Sequence, residues 1–105
     1  MNEKYVLKSR AIASRIFDGE MIIMSAQDSA LFSLNAVATL IWEAADGKAP
    51  LSEIVRNRVC ELFEVQFEEA YSDAQIFIHG LEAHGIVRVQ SHPFLQAEFN
   101  PDLKP

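Results

Sequence analysis

The side chains with which this chain could do chemistry are three histidines (His79, His84 and His92), one cysteine (Cys60) and fifteen carboxylates. A metal site needs His, Cys, Asp or Glu at set spacings, and none of the histidines has such a neighbour in the sequence. His79 falls on the outer face of a helix, and all three are expected to be solvated. Cys60 has no His or Lys placed to activate it and projects roughly 150° from the apolar stripe of its helix, as an exposed, inert thiol would. Glu61 and Glu64 stand near the end of one helix; Glu68 and Glu69 open the next, where they suit its dipole. No carboxylate pair is set among apolar residues, as general acid–base work would want. There is no glycine-rich phosphate loop, no nucleophile elbow and no catalytic His motif. The expectation is a protein that is not an enzyme, with no metal and no cofactor.

Composition narrows the classes further. The chain has 105 residues, enough for one modest core, and half of them are hydrophobic, which argues against wholesale disorder. No apolar run approaches the ~20 residues that span a bilayer, so no membrane partner is expected. MNEKYVLKSR lacks a signal-peptide h-region, and the single cysteine allows no internal disulfide, so the expected location is cytoplasmic. The formal net charge is −6. Nucleic-acid binding needs cations clustered on one face, and no such cluster is visible.

The elements that would position any site read in order as follows. Residues 1–10 form an N-terminal segment, frayed or adding an edge strand through Tyr5-Val6-Leu7. Ala11 to Phe17 and Met21 to Met24 are β-rich runs around Asp18-Gly19, a strong hairpin signal because a type I′ turn needs the positive φ that Gly supplies. After the turn Gln27-Asp28-Ser29, Ala30 to Leu34 is a third strand. Asn35 is a preferred N-cap. Behind it Val37, Leu40, Ile41, Ala44 and Ala45 recur at helical spacing until Asp46-Gly47, with Trp42 covering a second core surface. Ser52 is expected to cap a second helix whose apolar set is Leu51, Ile54, Val55, Val59 and Leu62. A third helix runs from Phe67 to Ala83 with Ala70, Ala74, Phe77 and Leu81 as its inner row, flanked by Phe67, Tyr71 and Ile78. Gly85 ends it, and Ile86 to Val89 is a terminal strand. Residues 91–105 are a loose tail or an arm docked through Phe94, Leu95 and Phe99. The fold class is α+β: a three-stranded antiparallel meander, three helices and a closing strand, winged helix-turn-helix-like.

Two features have no explanation in stability. The strand Ala30, Leu31, Phe32, Ser33, Leu34 would lie at a sheet edge, yet carries none of the charges or prolines that protect edges. On the third helix Ile76 projects roughly 160° from the buried arc, with Asp73 and Gly80 between it and the inner row. Gly within a helix costs about 1 kcal/mol relative to Ala, and lets another backbone come close. An open edge beside such a flank, which also bears Phe77, suits an extended peptide added as a further strand. Coverage of that edge by the chain's own ends, or by a second copy in a homodimer, stays open.

Several short runs stand in a familiar order and spacing: Asp18-Gly19-Glu20, Leu34-Asn35 with Ile41-Trp42-Glu43, Asp46-Gly47 and Glu53-Ile54-Val55, then Ala70, Asp73, Phe77, Leu81 and Gly85-Ile86-Val87. In these residues, over about Arg10 to Val89, the chain resembles the proteins of the PqqD-like family. These are small chaperones of pyrroloquinoline quinone biosynthesis and the related recognition domains of ribosomal peptide modification. The resemblance implies a domain over 11–90 with no activity of its own. It would bind the leader of a precursor peptide and present it to a modifying enzyme, often a radical S-adenosylmethionine protein. It places the leader along Ala30 to Leu34 and the flank of Asp73, Ile76, Phe77 and Gly80. The stretch Ile41 to Ala45 and the extension past Val87 depart from the quinone-pathway members and favour the broader family. The alternatives are a winged-helix nucleic-acid-binding or regulatory protein and a dimerising structural module.

Overall fold

The Asp18-Gly19 pair turns the chain as its type requires. Asp18 (φ 54°) and Gly19 (φ 82°) both sit in the left-handed region, and Phe17 faces Glu20 across a two-residue loop. In the computed structural model, which describes residues 3–9, 12–25 and 28–94, this hairpin joins β2 (Ala13–Phe17) to β3 (Glu20–Met24). β4 (Leu31–Leu34) pairs antiparallel with β3, from Met21 opposite Leu34 to Met24 opposite Leu31, giving the sheet order β2-β3-β4. The expected meander is therefore present, with β4 at its edge.

Helix α1 (Ala36–Glu43) follows β4 at once, and the Asn35 side chain accepts from the Ala38 N–H as an N-cap. Ile41 and Trp42 are its buried residues. The Lys8 ammonium lies 5.6 Å over the Trp42 ring and donates to the Trp42 and Glu43 carbonyls; the buried indole belongs to the same core cluster as Ile41 rather than to a second one.

That strand, β1 (Tyr5–Lys8), takes neither place the sequence left open for it. It is the middle strand of a second antiparallel sheet, ordered β5-β1-β6. Its neighbours are β5 (Asp46–Pro50) and β6 (Val87–Gln90), with Tyr5 facing Pro50 on one side and Gln90 on the other. β5 has the sequence DGKAP, which carries no strand signal; its pairing comes from β1. Gly47 is required there twice over. It sits at φ 76°, and a Cβ would meet Phe94 at 2.8 Å, where the Phe94 N–H donates to the Gly47 carbonyl. The tail is thus docked through Phe94; Leu95 and Phe99 lie outside the described residues.

Helix α2 spans residues 51–62 and is irregular. It is α-helical over Leu51–Ile54, widens to a π turn over Val55–Val59, and returns to α over Cys60–Leu62. The extra residue in that turn shifts the phase of everything after it. Leu62, expected in the apolar set, is 69% exposed, while Cys60, expected outside, is half-buried against the core. Ser52 is not the cap: Pro50 precedes the helix, and the Ser52 hydroxyl donates to Glu3. Helix α3 (Phe67–Ala83) has the expected bounds, and Gly85 follows it at φ 72°. Its buried line is Ala74, Ile78 and Leu81, rotated towards Ile78, so that Ala70 and Phe77 are left half-exposed. Ile23, Leu51, Leu81, Ile86, Val6 and Val55 form the centre of one core shared by both sheets and the helices.

Candidate functional site

Antiparallel pairing decides which backbone groups β4 has to offer, because residues along such a strand alternate between bonding their neighbour and pointing away from it. The Ser25 N–H donates to the Ala30 carbonyl at 2.9 Å, which fixes the phase. Phe32 and Leu34 then bond β3, opposite Ile23 and Met21. Leu31 and Ser33 turn their N–H and C=O outward, and among the described residues no strand pairs with that side. Their side chains share the outer face of the sheet; Leu31 is 67% exposed. Ala30 has nothing left for a guest, since its N–H is also taken, by the Asp28 carboxylate at 3.1 Å.

The turn before β4 is tied to the end of α3. The Ser25 hydroxyl, buried, donates to the His84 carbonyl at 2.8 Å, and the Asp28 carboxylate meets the His84 ring nitrogen at 2.7 Å. Phe32 packs edge-on against that imidazole with ring centroids 5.0 Å apart. Asp28's carboxyl is held below its ordinary value of 3.8, chiefly by the Ala30 N–H and next by His84. His84 is therefore a structural tie rather than the solvated side chain expected of it.

At the other end of β4, Asn35 lines a cavity together with Asp73 and Phe77 of α3. Phe32 against His84 and Asn35 beside Phe77 are two fixed points. Taken along the chain, the order Phe32 to Asn35 on the β4 side is opposed by His84 to Phe77 on the α3 side, so the two elements run in opposite directions between these points. The stretch of helix between the two points carries Gly80, where an added Cβ would meet nothing within 4 Å; Ile76, just before Phe77, is 70% exposed. Of the residues expected at the site, the structure places Asp73 and Phe77 together in the lining of one cavity, sets Phe32 against the end of α3 and buries Leu34 at 3% exposure; Ile76 and Gly80 are not part of that lining, and the outward backbone of Leu31 and Ser33 forms the open edge of β4. What the sequence reading missed is the tie through Ser25, Asp28 and His84, and the α1 wall of the cavity, including Val37 and Ala38. The Asp28-x-Ala30 turn was a local signal; its contact with His84 spans 56 positions and left none.

No helix is long and apolar enough to cross a membrane, and no group of three or more metal-ligating side chains is present among the described residues. A winged-helix-type α+β domain with one sheet edge open beside its last helix is the class that fold and site define. The chain belongs to the PqqD family: the family model described as coenzyme PQQ synthesis protein D matches residues 20–87. The fold is also similar to a solved structure described as TbiB1 in complex with the TbiA(beta) leader peptide. That match has a TM-score of 0.66 and 24% identity, and covers 78% of this chain and 94% of the other. No curated protein matches.

Proposed function

We propose that this protein binds the leader segment of a ribosomally made precursor peptide by strand addition at β4 and presents it to a modifying enzyme. The observation that carries the reading is the uncharged edge of β4, with the N–H and C=O of Leu31 and Ser33 turned outward beside a bare helix flank. A guest strand would bond those four groups, and its alternate side chains would face Asp73, Ile76, Phe77 and Gly80. The protein supplies no reacting group. It raises the rate by holding the substrate near a partner, through effective concentration, and a radical S-adenosylmethionine enzyme in the cytoplasm fits that role. Membership of the PqqD family and the likeness to a leader-bound protein support this.

A winged-helix protein reading nucleic acid is disfavoured by its own recognition helix. α3 carries Glu68, Glu69, Asp73 and Glu82 and no Lys or Arg, which would repel phosphates. The test is a titration of the full chain with synthetic leader peptides from neighbouring short reading frames, followed by amide shifts. Shifts concentrated in β4 and α3 are expected. Binding that leaves both elements unmoved, or that is unchanged in Leu31→Asp, removes the assigned site.

A further inference from the structure

The cavity where β4 ends has more chemistry than strand addition uses. Its volume is about 330 Å³, and Val37, Ala38, Ile41, Val59, Ala74 and Phe77 provide apolar walls from α1, α2 and α3. The charged side chains lining it are Glu69 and Asp73, and no Lys or Arg lines it. The two stand at i and i+4 on α3, where like charges oppose each other. Glu69 lies in the first helical turn and suits the dipole there; Asp73 lies beyond that turn and has no such reason. Among the described residues neither carboxylate has an ion pair or a side-chain hydrogen bond. Arg56, the cation near the start of the helix, is stacked over the Phe67 ring at 4.2 Å instead.

An apolar guest would bury the walls but press two uncompensated carboxylates against a dry surface, which is unfavourable. A side chain with a long alkyl stem and a cationic end satisfies both parts at once, as Lys and Arg do wherever they lie along apolar surface. We infer that this cavity takes a lysine or arginine of the bound peptide, its stem along the α1 and α3 walls and its cation between Glu69 and Asp73. The inference rests on the strand-addition reading and adds a specificity to it: the peptide recognised is basic at the position that passes Asn35, at the end of β4. An acidic domain of net charge −6 would also draw such a peptide in by its long-range field.

Selection of random linear peptides displayed on phage against the full chain tests this whatever the sequence of the natural peptide. The expected consensus holds a Lys or Arg at a fixed distance from alternating apolar residues. Selection against Asp73→Lys should turn that position acidic, and selection against Glu69→Gln/Asp73→Asn, both exposed sites, should erase the preference. Replacing the selected lysine by norleucine should weaken binding to the native chain roughly tenfold, as loss of one close charge contact does, and should leave binding to the neutral double variant unchanged. A consensus without a basic residue, one indifferent to both charge variants, or no enrichment overturns the inference. The parent reading is judged separately: selected peptides that shift β4 and α3 amides but show no basic preference remove only the cavity's role. Selected peptides that leave β4 unmoved remove both.

Discussion

Gly80 is the residue at which stability and binding make opposite demands. It sits in the last turn of α3 with open space where a Cβ would be, so nothing in the fold requires its smallness. Gly80→Ala should raise stability by roughly 0.5–1 kcal/mol, the ordinary helix-propensity difference, measurable as a shift in the urea midpoint. Gly80→Trp should fold as well as the native chain yet bind peptide at least tenfold more weakly, because the indole would fill the groove beside β4. A Trp variant with native affinity would show that the guest lies elsewhere. Asp28 is the second residue whose environment makes a quantitative claim. Its folded pKa lies below 3.8, so the tie through Ala30 and His84 contributes stability that is present above that value. The contribution is lost as the pH falls through the lowered folded pKa. The Asp28 carboxyl carbon should therefore titrate below a free aspartate, and the Ala30 amide should lose protection from exchange in the same acid window. A midpoint at or above 3.8 would contradict the tie. Asp28-x-Ala30 was visible as a turn in the sequence, but the partner that gives it purpose, His84, is fixed only when α3 docks.

Elements were legible where their signals are local. The hairpin follows from Asp18-Gly19, α1 from Asn35 and its stripe, and α3 from an apolar row that runs unbroken for 17 residues. The π turn in α2 was not legible, because a 3.6-residue period assumes its own continuity; one inserted residue moved Leu62 out and Cys60 in. β5 was invisible for a different reason: DGKAP is a strand by virtue of β1 alone. The candidate edge was legible as an uncharged β-run, but which of its residues have free backbone groups required the register. That register separates two proline substitutions. Ser33→Pro removes an N–H that points to the open side, so the chain should remain folded while peptide binding falls by tenfold or more. Phe32→Pro removes an N–H bonded to β3, and should cost about 3 kcal/mol or more of stability, read from thermal unfolding. If both variants lose stability equally, the assigned phase of β4 is wrong.

Over the whole molecule, the chain's described ends are spent on one sheet, and this leaves the other sheet open. β1 fills the centre of β5-β1-β6, and Phe94 closes over Gly47 on β5, so among the described residues neither end lies on β4. The resemblance to the family begins near Arg10, and a recognition domain drawn at 11–90 would omit β1. Val6 and Leu7 are both buried, and burying two such side chains is worth roughly 3–6 kcal/mol. Their loss would also strand the backbone groups of β5 and β6, which face β1 from either side. A domain of this size has a total stability of only about 5–15 kcal/mol. A chain beginning at residue 11 should therefore show no cooperative unfolding transition and poor amide dispersion. Adding a synthetic peptide of residues 1–9 should restore both, since the strand is held by pairing and by core contacts rather than by the link at its end. A folded, well-dispersed 11–105 chain would mean that the second sheet is an accessory to the core and not one of its walls. Peptide binding at β4 would then have to be measured in the shorter chain as the true minimal unit.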